Sequence, residues 1–408
     1  MKKCYLILLR HTKRLGAMAL LVLAWIYLNL FSRQLYRKDC WLVCEKRNEA
    51  RDNGYHFYKY LKNVHPEINS YFVITKDSPD FGKVEALGNV VIANSFKHCL
   101  LYLAARYSIS SQPYGAYPFS FSQLYLRAVN RLCRPDQKTV FLQHGIIKAE
   151  LAHKAFDYDK CNIDFFVCSA PEEYAFVKSR YGYPEGAIAC VGMCRFDYLL
   201  NPMEEIENTV LVMPTWRMWL RRNIDGIPLN QSEIQNFKAS DFYKQYSSML
   251  TDERILTSLR KKNLKIVFYL HYQLQDYTPL FKEFENDVIV IADRYQYDVQ
   301  KLLITSKVLV TDYSSVYFDF AYMNKPLVHF LFDKNRFEGS HYAKGYFEYE
   351  RDGFGPCTYT LDGVVNALTE CIEHNCVQSQ QYSERVDGFF MERDGRNCER
   401  TFQMISRL

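Results

Sequence analysis

From about residue 40 onward, short runs of β-branched and aromatic residues alternate with longer segments that have apolar residues at helical spacing. Strands that alternate with helices along one chain are typical of a parallel sheet covered by helices on both faces. Two series of such strands occur, and a polar stretch over residues 201–207 separates them. The pattern therefore predicts an α/β protein with two Rossmann-like domains in tandem.

The predicted strands of both series are short and apolar. The first series comprises residues 41–44, 70–74, 90–93, 107–110, 139–142, 165–168 and 189–191. The second series comprises residues 209–213, 265–270, 288–291, 308–311 and 327–330. Since the polar stretch marks the boundary, we predict one domain over residues 37–202 and another over residues 203–408. The tail from residue 378 is expected to form one or two polar helices that pack back across the domain junction.

The segment before the first predicted strand has a different pattern. Residues 15–31 are 17 residues, apolar except for Gly16 and Asn29, and they reach the lower length limit for crossing a bilayer. Basic residues precede and follow this run, so the positive-inside rule does not decide its orientation. No small-x-small cleavage site follows, which favours a retained anchor over a removed signal peptide. We predict that residues 1–36 form a membrane anchor, either spanning or in-plane; the alternative is a buried helix of the first domain.

Composition narrows the functional classes. With 48% hydrophobic and 24% charged residues over 408 positions, the chain can bury the cores of two domains. Its 51 basic and 46 acidic residues give a net charge of +5, which is too even to indicate a nucleic-acid-binding protein. Thirteen cysteines without a Cys-x-x-Cys pair are interpreted as reduced, mostly buried thiols, which favours the cytoplasm.

Several familiar motifs are missing or weak. The sequence has neither a GxxxxGK[ST] loop nor a GxGxxG fingerprint between a strand and a helix, which argues against ATPases and dinucleotide oxidoreductases. The tripeptide Asp157-Tyr158-Asp159 matches an Asp-x-Asp metal motif, but this pattern is too common to support a prediction. We therefore predict no metal and no other cofactor.

The polar residues that stand out follow four of the predicted strands. In open parallel sheets, ligands bind beyond the carboxyl ends of the strands. At these ends lie His144 and Gly145, then Pro214, Thr215 and Arg217, then His271, and finally Asp312, Ser314 and Ser315. We therefore expect a ligand site that is built from these strand ends.

The chemistry of these residues favours an anionic ligand. Ser314 and Ser315 precede a predicted helix at 316–323, and main-chain N–H groups at a helix start can hold a phosphate. The alternative is that these serines simply cap the helix. Histidine titrates near neutral pH, so His144 or His271 can accept a proton from a hydroxyl or, when charged, stabilise phosphate oxygens.

Three basic side chains add to this picture. The guanidinium groups of Arg195 and Arg217 match phosphate oxygens in two-point geometry, although either arginine can equally be an ion-pair partner. Lys148 is close enough to His144 in sequence to add a positive charge.

The same residues lie in segments that resemble the CDP-glycerol glycerophosphotransferase family of teichoic-acid and capsule enzymes. The resemblance covers about residues 40–370. Its matching segments are FLQHGI (141–146), VGMCRFD (191–197), MPTWR (213–217), FYLHY (268–272), LLITSKVLVTDYSSVYFDFAYMNKP (302–326) and GYFEYERDGFGP (345–356). The segment containing TDYSSVYFDF is the most specific of them.

This resemblance implies a two-domain glycosyltransferase-B fold. It further implies transfer of glycerol phosphate, or a related polyol phosphate, from CDP-glycerol to a hydroxyl of a lipid-linked or glycan acceptor, with release of CMP. The reaction would take place at the cytoplasmic side of the cell membrane, with the first domain on the acceptor side and the second binding the donor.

The resemblance also assigns roles to residues. His144 and His271 match the two histidines important for catalysis. The positions that match donor contacts are Gly145, Arg195, Pro214, Thr215, Ser314, Ser315 and Asp319. We add Asp312, from the same turn, and Arg217, from its charge, to the substrate-binding residues.

Some alternatives remain open. After QHG the chain has Ile146-Ile147-Lys148-Ala149 where wall teichoic-acid enzymes have Thr-Pro-Leu-Lys, so the alditol and the acceptor are undetermined and a capsule or surface-glycan enzyme is equally compatible. One rival function is a glycosyltransferase on the same architecture that uses a nucleotide sugar. Another is a membrane-anchored binding protein without turnover.

Overall fold

The computed structural model describes residues 2–32, 34, 38–119, 134–150, 156–161, 163–222, 228–340 and 345–408. The chain divides into two compact units. Unit 1 comprises Met1–His144, Lys154–Tyr198 and Asp394–Leu408, and unit 2 comprises Gly145–His153 and Leu199–Arg393. The division near residue 198 lies close to the predicted boundary at residue 202. The prediction did not assign residues 145–153 to the second unit or residues 394–408 to the first.

The sheet of unit 1 is entirely parallel. Its strands are β1 (Cys40–Cys44), β2 (Ser70–Ile74), β3 (Val90–Ile92), β4 (Ala105–Ser110), β5 (Lys138–Phe141), β6 (Phe165–Cys168) and β7 (Ile188–Cys190). Their order is β3-β2-β1-β4-β5-β6-β7. The direction of winding reverses between β1 and β4, which makes this pair the topological switch point.

The sheet of unit 2 repeats this arrangement. Its strands are β8 (Thr209–Met213), β9 (Lys265–Tyr269), β10 (Ile289–Ala292), β11 (Val308–Thr311), β12 (Leu327–Phe330) and β13 (Cys357–Thr358). All are parallel in the order β10-β9-β8-β11-β12-β13, so the switch point lies between β8 and β11. The prediction of two Rossmann-like α/β domains is confirmed for each unit; only the two-residue edge strand β13 was not predicted.

Helices connect the strands of both units. In chain order they are α1 (Lys2–Phe31), α2 (Asn53–Val64), α3 (Phe81–Glu85), α4 (Phe96–Ala104), α5 (Pro171–Tyr181), α6 (Phe196–Leu200), α7 (Gln231–Ala239), α8 (Asp241–Leu250), α9 (Glu253–Lys261), α10 (Val299–Thr305), α11 (Val316–Tyr322), α12 (Lys334–Ser340), α13 (Tyr349–Asp352), α14 (Leu361–Glu373), α15 (Gln380–Phe389) and α16 (Asn397–Ile405). Two segments, Met218–Leu220 and Tyr272–Phe284, form 3-10 turns. The predicted polar tail thus forms two helices, α15 and α16.

The alternation of side chains along β1 builds two core layers in unit 1. Trp41 and Val43 face the layer that contains α2, whereas Leu42 and Cys44 face the layer that contains α4. Successive residues of a strand point to opposite faces, so a run that is apolar throughout indicates a sheet covered on both sides.

The C-terminal helix α16 belongs to unit 1 because specific contacts hold it there. The Asp197 carboxylate accepts hydrogen bonds from the main-chain N–H groups of Asn397 (2.7 Å) and Cys398 (2.8 Å), at the helix start. Phe402 packs against Trp41, with ring centroids 5.7 Å apart. The Asp197 contacts link residues about 200 positions apart, and the ring contact joins residues even farther apart in the chain, so no local pattern predicts them.

Over residues 14–31, where its side chains are described, helix α1 is buried along one narrow stripe. Ala17, Leu21, Ala24 and Leu28 are buried, and α1 packs against α4. Their spacing of three and four residues places them on one face. The window Arg14–Phe31 is long and apolar enough to cross a membrane. Helix α1 therefore packs on unit 1 along one face and leaves the rest of its described surface exposed.

Candidate functional site

His144 lies just beyond the end of β5, and its side chain is exposed to solvent. β5 pairs with β4, which borders the switch point of unit 1. The main chain of Ser111, directly after β4, lies close enough to the imidazole to act on its pKa. The predicted catalytic histidine thus stands at the sheet edge where α/β folds bind ligands.

The surroundings of His144 lower its pKa. Although part of the side chain reaches solvent, many protein atoms surround the ring, and this desolvation is the largest cause; Arg195 and Lys46 act in the same direction, and Asp52 opposes them. A lowered pKa keeps the imidazole neutral near pH 7, and the neutral ring is the form that accepts a proton.

Arg195 is held beside the start of α2. Its guanidinium Nη1 donates to Asp52 Oδ1 at 2.8 Å, and its main-chain N–H donates to Asn53 Oδ1 at 2.9 Å. The side chain is largely buried. Because Arg195 also acts electrostatically on His144, unit 1 brings these two predicted site residues together.

A buried carboxylate supports this part of unit 1. Glu45, directly after β1, accepts hydrogen bonds from the main-chain N–H groups of Arg51 (2.5 Å), Asp52 (3.1 Å) and Tyr55 (3.0 Å). Desolvation and the nearby Asp52 raise the pKa of Glu45 to about 8, although these hydrogen bonds oppose the shift. Glu45 therefore fixes the start of α2, which carries Asp52 and Asn53.

In unit 2, Arg217 is fully enclosed. It has no exposed surface; Nη2 donates to Asp312 Oδ2 at 2.8 Å, and Nε donates to Asp333 Oδ2 at 2.7 Å. Nη1 donates to the carbonyl of Thr215 at 2.7 Å. The prediction that Arg217 contacts a substrate is therefore wrong, because an enclosed guanidinium paired with two carboxylates cannot reach one.

Asp312 requires the same correction. It is fully buried, and its Oδ1 accepts hydrogen bonds from the main-chain N–H groups of Thr215 (2.8 Å) and Tyr313 (2.6 Å). Oδ2 accepts from Arg217 and from the hydroxyl of Tyr246 (3.2 Å). Asp312 therefore joins the carboxyl ends of β8 and β11 across the switch point instead of binding a substrate directly.

Pro214 and Thr215 begin the loop after β8, and both are buried. The Thr215 hydroxyl has no hydrogen-bond partner among the described residues. His271 lies near them, since its ring stacks on that of Trp216 with centroids 6.4 Å apart. The Nδ1 atom of His271 accepts a hydrogen bond from the main-chain N–H of Gln273 at 3.3 Å, which in the neutral ring places the proton on Nε2.

The turn before α11 brings a further pair of predicted site residues together. Ser315 stands at the N-cap position, is exposed, and makes no capping hydrogen bond with its side chain. A Cβ atom on Gly145 would lie 3.0 Å from Ser315 Oγ, so glycine permits this close approach. Ser314 and Asp319 are almost completely buried.

Lys148 does not provide the free positive charge that its sequence position indicates. Its Nζ donates to the carbonyl of Tyr313 at 2.6 Å and to the hydroxyl of Tyr349, and it lies over the rings of Tyr317 and Tyr349. Burial lowers the pKa of Lys148 to about 7, against the opposing effect of Asp312. The lysine therefore holds residues 145–149 to the rest of unit 2.

Within the described ranges, no group of three or more His, Cys, Asp or Glu side chains is arranged to hold a metal ion. Asp157, from the Asp-x-Asp tripeptide, pairs with Lys160 Nζ at 2.7 Å.

The sequence patterns missed the residues that support the site. Glu45, Asp52 and Asn53 surround the start of α2, and Asp333 pairs with Arg217. Glu45 was detectable, because it directly follows a strand that borders the switch point; Asp52 was detectable because aspartate is a favoured N-cap residue and apolar residues at helical spacing follow it. Asn53 and Asp333 have no comparable local signal.

Comparison with known proteins agrees with this arrangement. The family described as CDP-glycerol:poly(glycerophosphate) glycerophosphotransferase matches residues 26–407. The minor teichoic acid biosynthesis protein GgaB of Bacillus subtilis (strain 168) is 32% identical over 375 residues, which cover 91% of this chain and 40% of that protein. The chain spans less than half the length of the curated relatives that it matches first.

Solved structures show the same fold. The wall teichoic acid polymerase TagF superposes with a TM-score of 0.63 at 18% identity, covering 100% of this chain and 99% of that chain. A UDP-N-acetylglucosamine 2-epimerase superposes with a TM-score of 0.55 at 9% identity, covering 90% and 95%. At these identities the likeness concerns the fold, whereas the family match spans nearly all of the sequence. The chain belongs to the CDP-glycerol:poly(glycerophosphate) glycerophosphotransferase family.

Proposed function

We propose that this protein transfers glycerol phosphate, or a related polyol phosphate, from CDP-glycerol to a hydroxyl of a membrane-linked or glycan acceptor and releases CMP. The observation that supports this most strongly is the position of most family-matched residues, which follow strands at or beside the switch points of the two sheets. GgaB and TagF are named for teichoic acid synthesis. We therefore infer a glycosyltransferase-B enzyme of teichoic-acid-like or capsule polymer synthesis.

In the proposed reaction, the acceptor oxygen attacks the phosphorus that is bonded to glycerol, in line with the departing CMP. His144 takes the proton of the attacking hydroxyl, and the bond between this phosphorus and the CMP oxygen breaks, so that CMP leaves with the electron pair. The lowered pKa of His144 favours this role, since the base must be neutral before the reaction.

The donor diphosphate carries negative charge that the protein must balance. We propose that Ser314, Ser315 and the start of α11 bind it through hydroxyl and main-chain N–H groups, while His271 donates from Nε2. Exposure of Ser315 and its lack of a capping bond support this role. Pro214, Thr215, Gly145, Arg195 and Asp319 complete the proposed donor contacts. Positioning and electrostatics supply most of the rate in this scheme.

The proposal predicts the products. Purified protein supplied with CDP-glycerol and a lipid-linked glycerol-phosphate acceptor should release one CMP for each glycerol phosphate transferred, measured by chromatography of the nucleotides. CDP-ribitol, tested in parallel, identifies the alditol. A rise in thermal stability with the correct CDP-alditol should accompany turnover, because a ligand that binds only the folded state stabilises it.

The alternatives give different results in the same experiment. Release of UDP or GDP from a nucleotide sugar would indicate glycosyl transfer. Stabilisation by a CDP-alditol without CMP release across a panel of acceptors would indicate a binding protein. Either result would overturn the proposed transferase.

We further propose that α1 attaches the protein to the cytoplasmic side of the membrane by lying in the plane of the bilayer. Its packed stripe already covers one side, so lipid cannot surround the helix on all sides as a spanning segment requires. The large apolar residues exposed on the remaining surface are Leu15, Met18, Val22, Leu23, Trp25, Ile26, Tyr27, Leu30 and Phe31. The described cysteines are all free thiols, as expected for the cytoplasm.

Charged substitutions on this surface should weaken membrane binding. Leu23→Asp and Leu30→Asp should each lower co-flotation with phosphatidylglycerol vesicles about tenfold or more, because each removes roughly 1.5–3 kcal/mol of apolar burial. Met203→Asp is the matched control, since Met203 is an exposed apolar residue of unit 2. Flotation of a variant that carries both Leu23→Asp and Leu30→Asp at the wild-type level would show that α1 is not the attachment surface.

A further inference from the structure

The main chain immediately before His144 has an unusual conformation. Gln143 has a φ of 61°, a left-handed conformation that costs a non-glycine residue on the order of 1 kcal/mol or more. Its side chain is buried, and Nε2 donates to the carbonyl of Val167 at 2.6 Å and to Glu173 Oε1 at 3.1 Å. The surrounding structure therefore enforces this turn.

Asn53 is the second group that holds the turn. It is fully buried, and its Nδ2 donates to the carbonyl of Gln143 at 2.8 Å and to that of Leu142 at 3.4 Å. Its Oδ1 accepts the main-chain N–H of Arg195 at 2.9 Å. One side-chain amide thus binds the residue before His144 and the main chain of Arg195, although these segments lie 90 and 142 positions away along the chain.

The start of α2 does not itself require this asparagine. Asp52 is the N-cap residue, and its carboxylate accepts the main-chain N–H of Asn53. The Asn53 side chain makes its hydrogen bonds with two other segments of the unit instead of with its own helix. Its chemistry, donor on one side and acceptor on the other, matches those two segments.

We propose that Asn53 is a positioning residue for the reaction, because it fixes the imidazole of His144 and the guanidinium of Arg195 relative to each other. This inference rests on the proposed function, in which His144 is the base. A histidine that is displaced by about an ångström loses alignment with the attacking hydroxyl, and such a displacement lowers the rate of the chemical step more than it lowers binding.

The test compares Asn53→Ala with Gln137→Ala. Gln137 is a matched control, since its amide also binds two carbonyls of unit 1, those of Tyr102 and Ala105 (both 2.8 Å), but it does so at the opposite end of β5. We expect Asn53→Ala to lower kcat for CMP release about 100-fold with KM for CDP-glycerol changed less than about threefold. Gln137→Ala should keep wild-type kcat at a temperature where both variants are folded.

A pair of further measurements separates positioning from general damage. In the His144→Ala background, Asn53→Ala should cause almost no additional loss, because Asn53 acts through His144. The pKa of His144, followed by NMR titration, should rise toward the ordinary histidine value in Asn53→Ala but not in Gln137→Ala, since desolvation holds it low in the wild type.

The outcomes distinguish the two proposals. Equal losses of kcat in Asn53→Ala and Gln137→Ala, or an unchanged titration of His144, would overturn the positioning role. Absence of CMP release by the wild-type protein would overturn the proposed function alone, because the NMR titration tests the link between Asn53 and His144 without turnover.

Discussion

Replacement of His144 by alanine is expected to lower CMP release by about 10³-fold, within the range of 10² to 10⁴ that a general base contributes. The fold should persist, because the side chain is exposed and its removal leaves no cavity in the core. The measurement is kcat with CDP-glycerol and acceptor, together with circular dichroism. His374→Ala, at an exposed histidine of unit 2, is the control and should retain full activity.

The pH dependence gives a second readout of the same residue. Because the pKa of His144 is lowered, the base should remain neutral at and above pH 7, so the rate should fall only on the acid side, below the ordinary titration range of histidine. This acid limb should disappear from the residual activity of His144→Ala. A variant with wild-type kcat and an unchanged pH profile would remove His144 from the mechanism.

Replacement of Arg217 by alanine is expected to destabilise unit 2 by roughly 3–5 kcal/mol, the cost of breaking a buried ion pair. Without the guanidinium, Asp312 and Asp333 would remain enclosed with no cation between them. Although desolvation opposes its charge, these two carboxylates raise the pKa of Arg217, so the arginine is charged at every accessible pH. Urea unfolding, monitored by tryptophan fluorescence, measures the loss.

The control for this prediction is an ion pair at the surface. Arg260 pairs with Asp287 at 3.0 Å, and both side chains are exposed. Arg260→Ala should leave the unfolding midpoint nearly unchanged, because solvent screens such pairs. Wild-type stability of Arg217→Ala, combined with weaker binding of CDP-glycerol, would instead indicate that Arg217 contacts the donor.

Arg217 also shows why a charge at a strand end is an ambiguous signal. An arginine after a switch-point strand suits a phosphate and a buried carboxylate equally well. The choice depends on Asp312 and Asp333, which lie 95 and 116 positions away. The sequence predicted a substrate contact at Arg217, whereas the tertiary contacts show that Arg217 connects the segments that follow β8 and β11.

The periodicity of the sequence determined the secondary structure and the fold class of each unit. Strands β2, β6, β8, β11 and β12 begin and end at the predicted residues. Short apolar runs between helical segments have one stable solution, a parallel sheet covered on both faces, so local pattern was sufficient. The sequence likewise placed His144, His271 and Ser315 at strand ends, since His271 directly follows its apolar run and the other two follow theirs within a few residues.

Contacts between distant segments decided the rest. They assigned α16 to unit 1 through Asp197, gave α1 one packed stripe and one exposed face, and turned Asn53 toward Gln143 and Arg195. The physical reason is that a buried polar group must find its partner wherever the fold brings one. Sequence periodicity indicates which side of a helix or strand is buried, but it does not indicate which distant residue a buried polar side chain will contact.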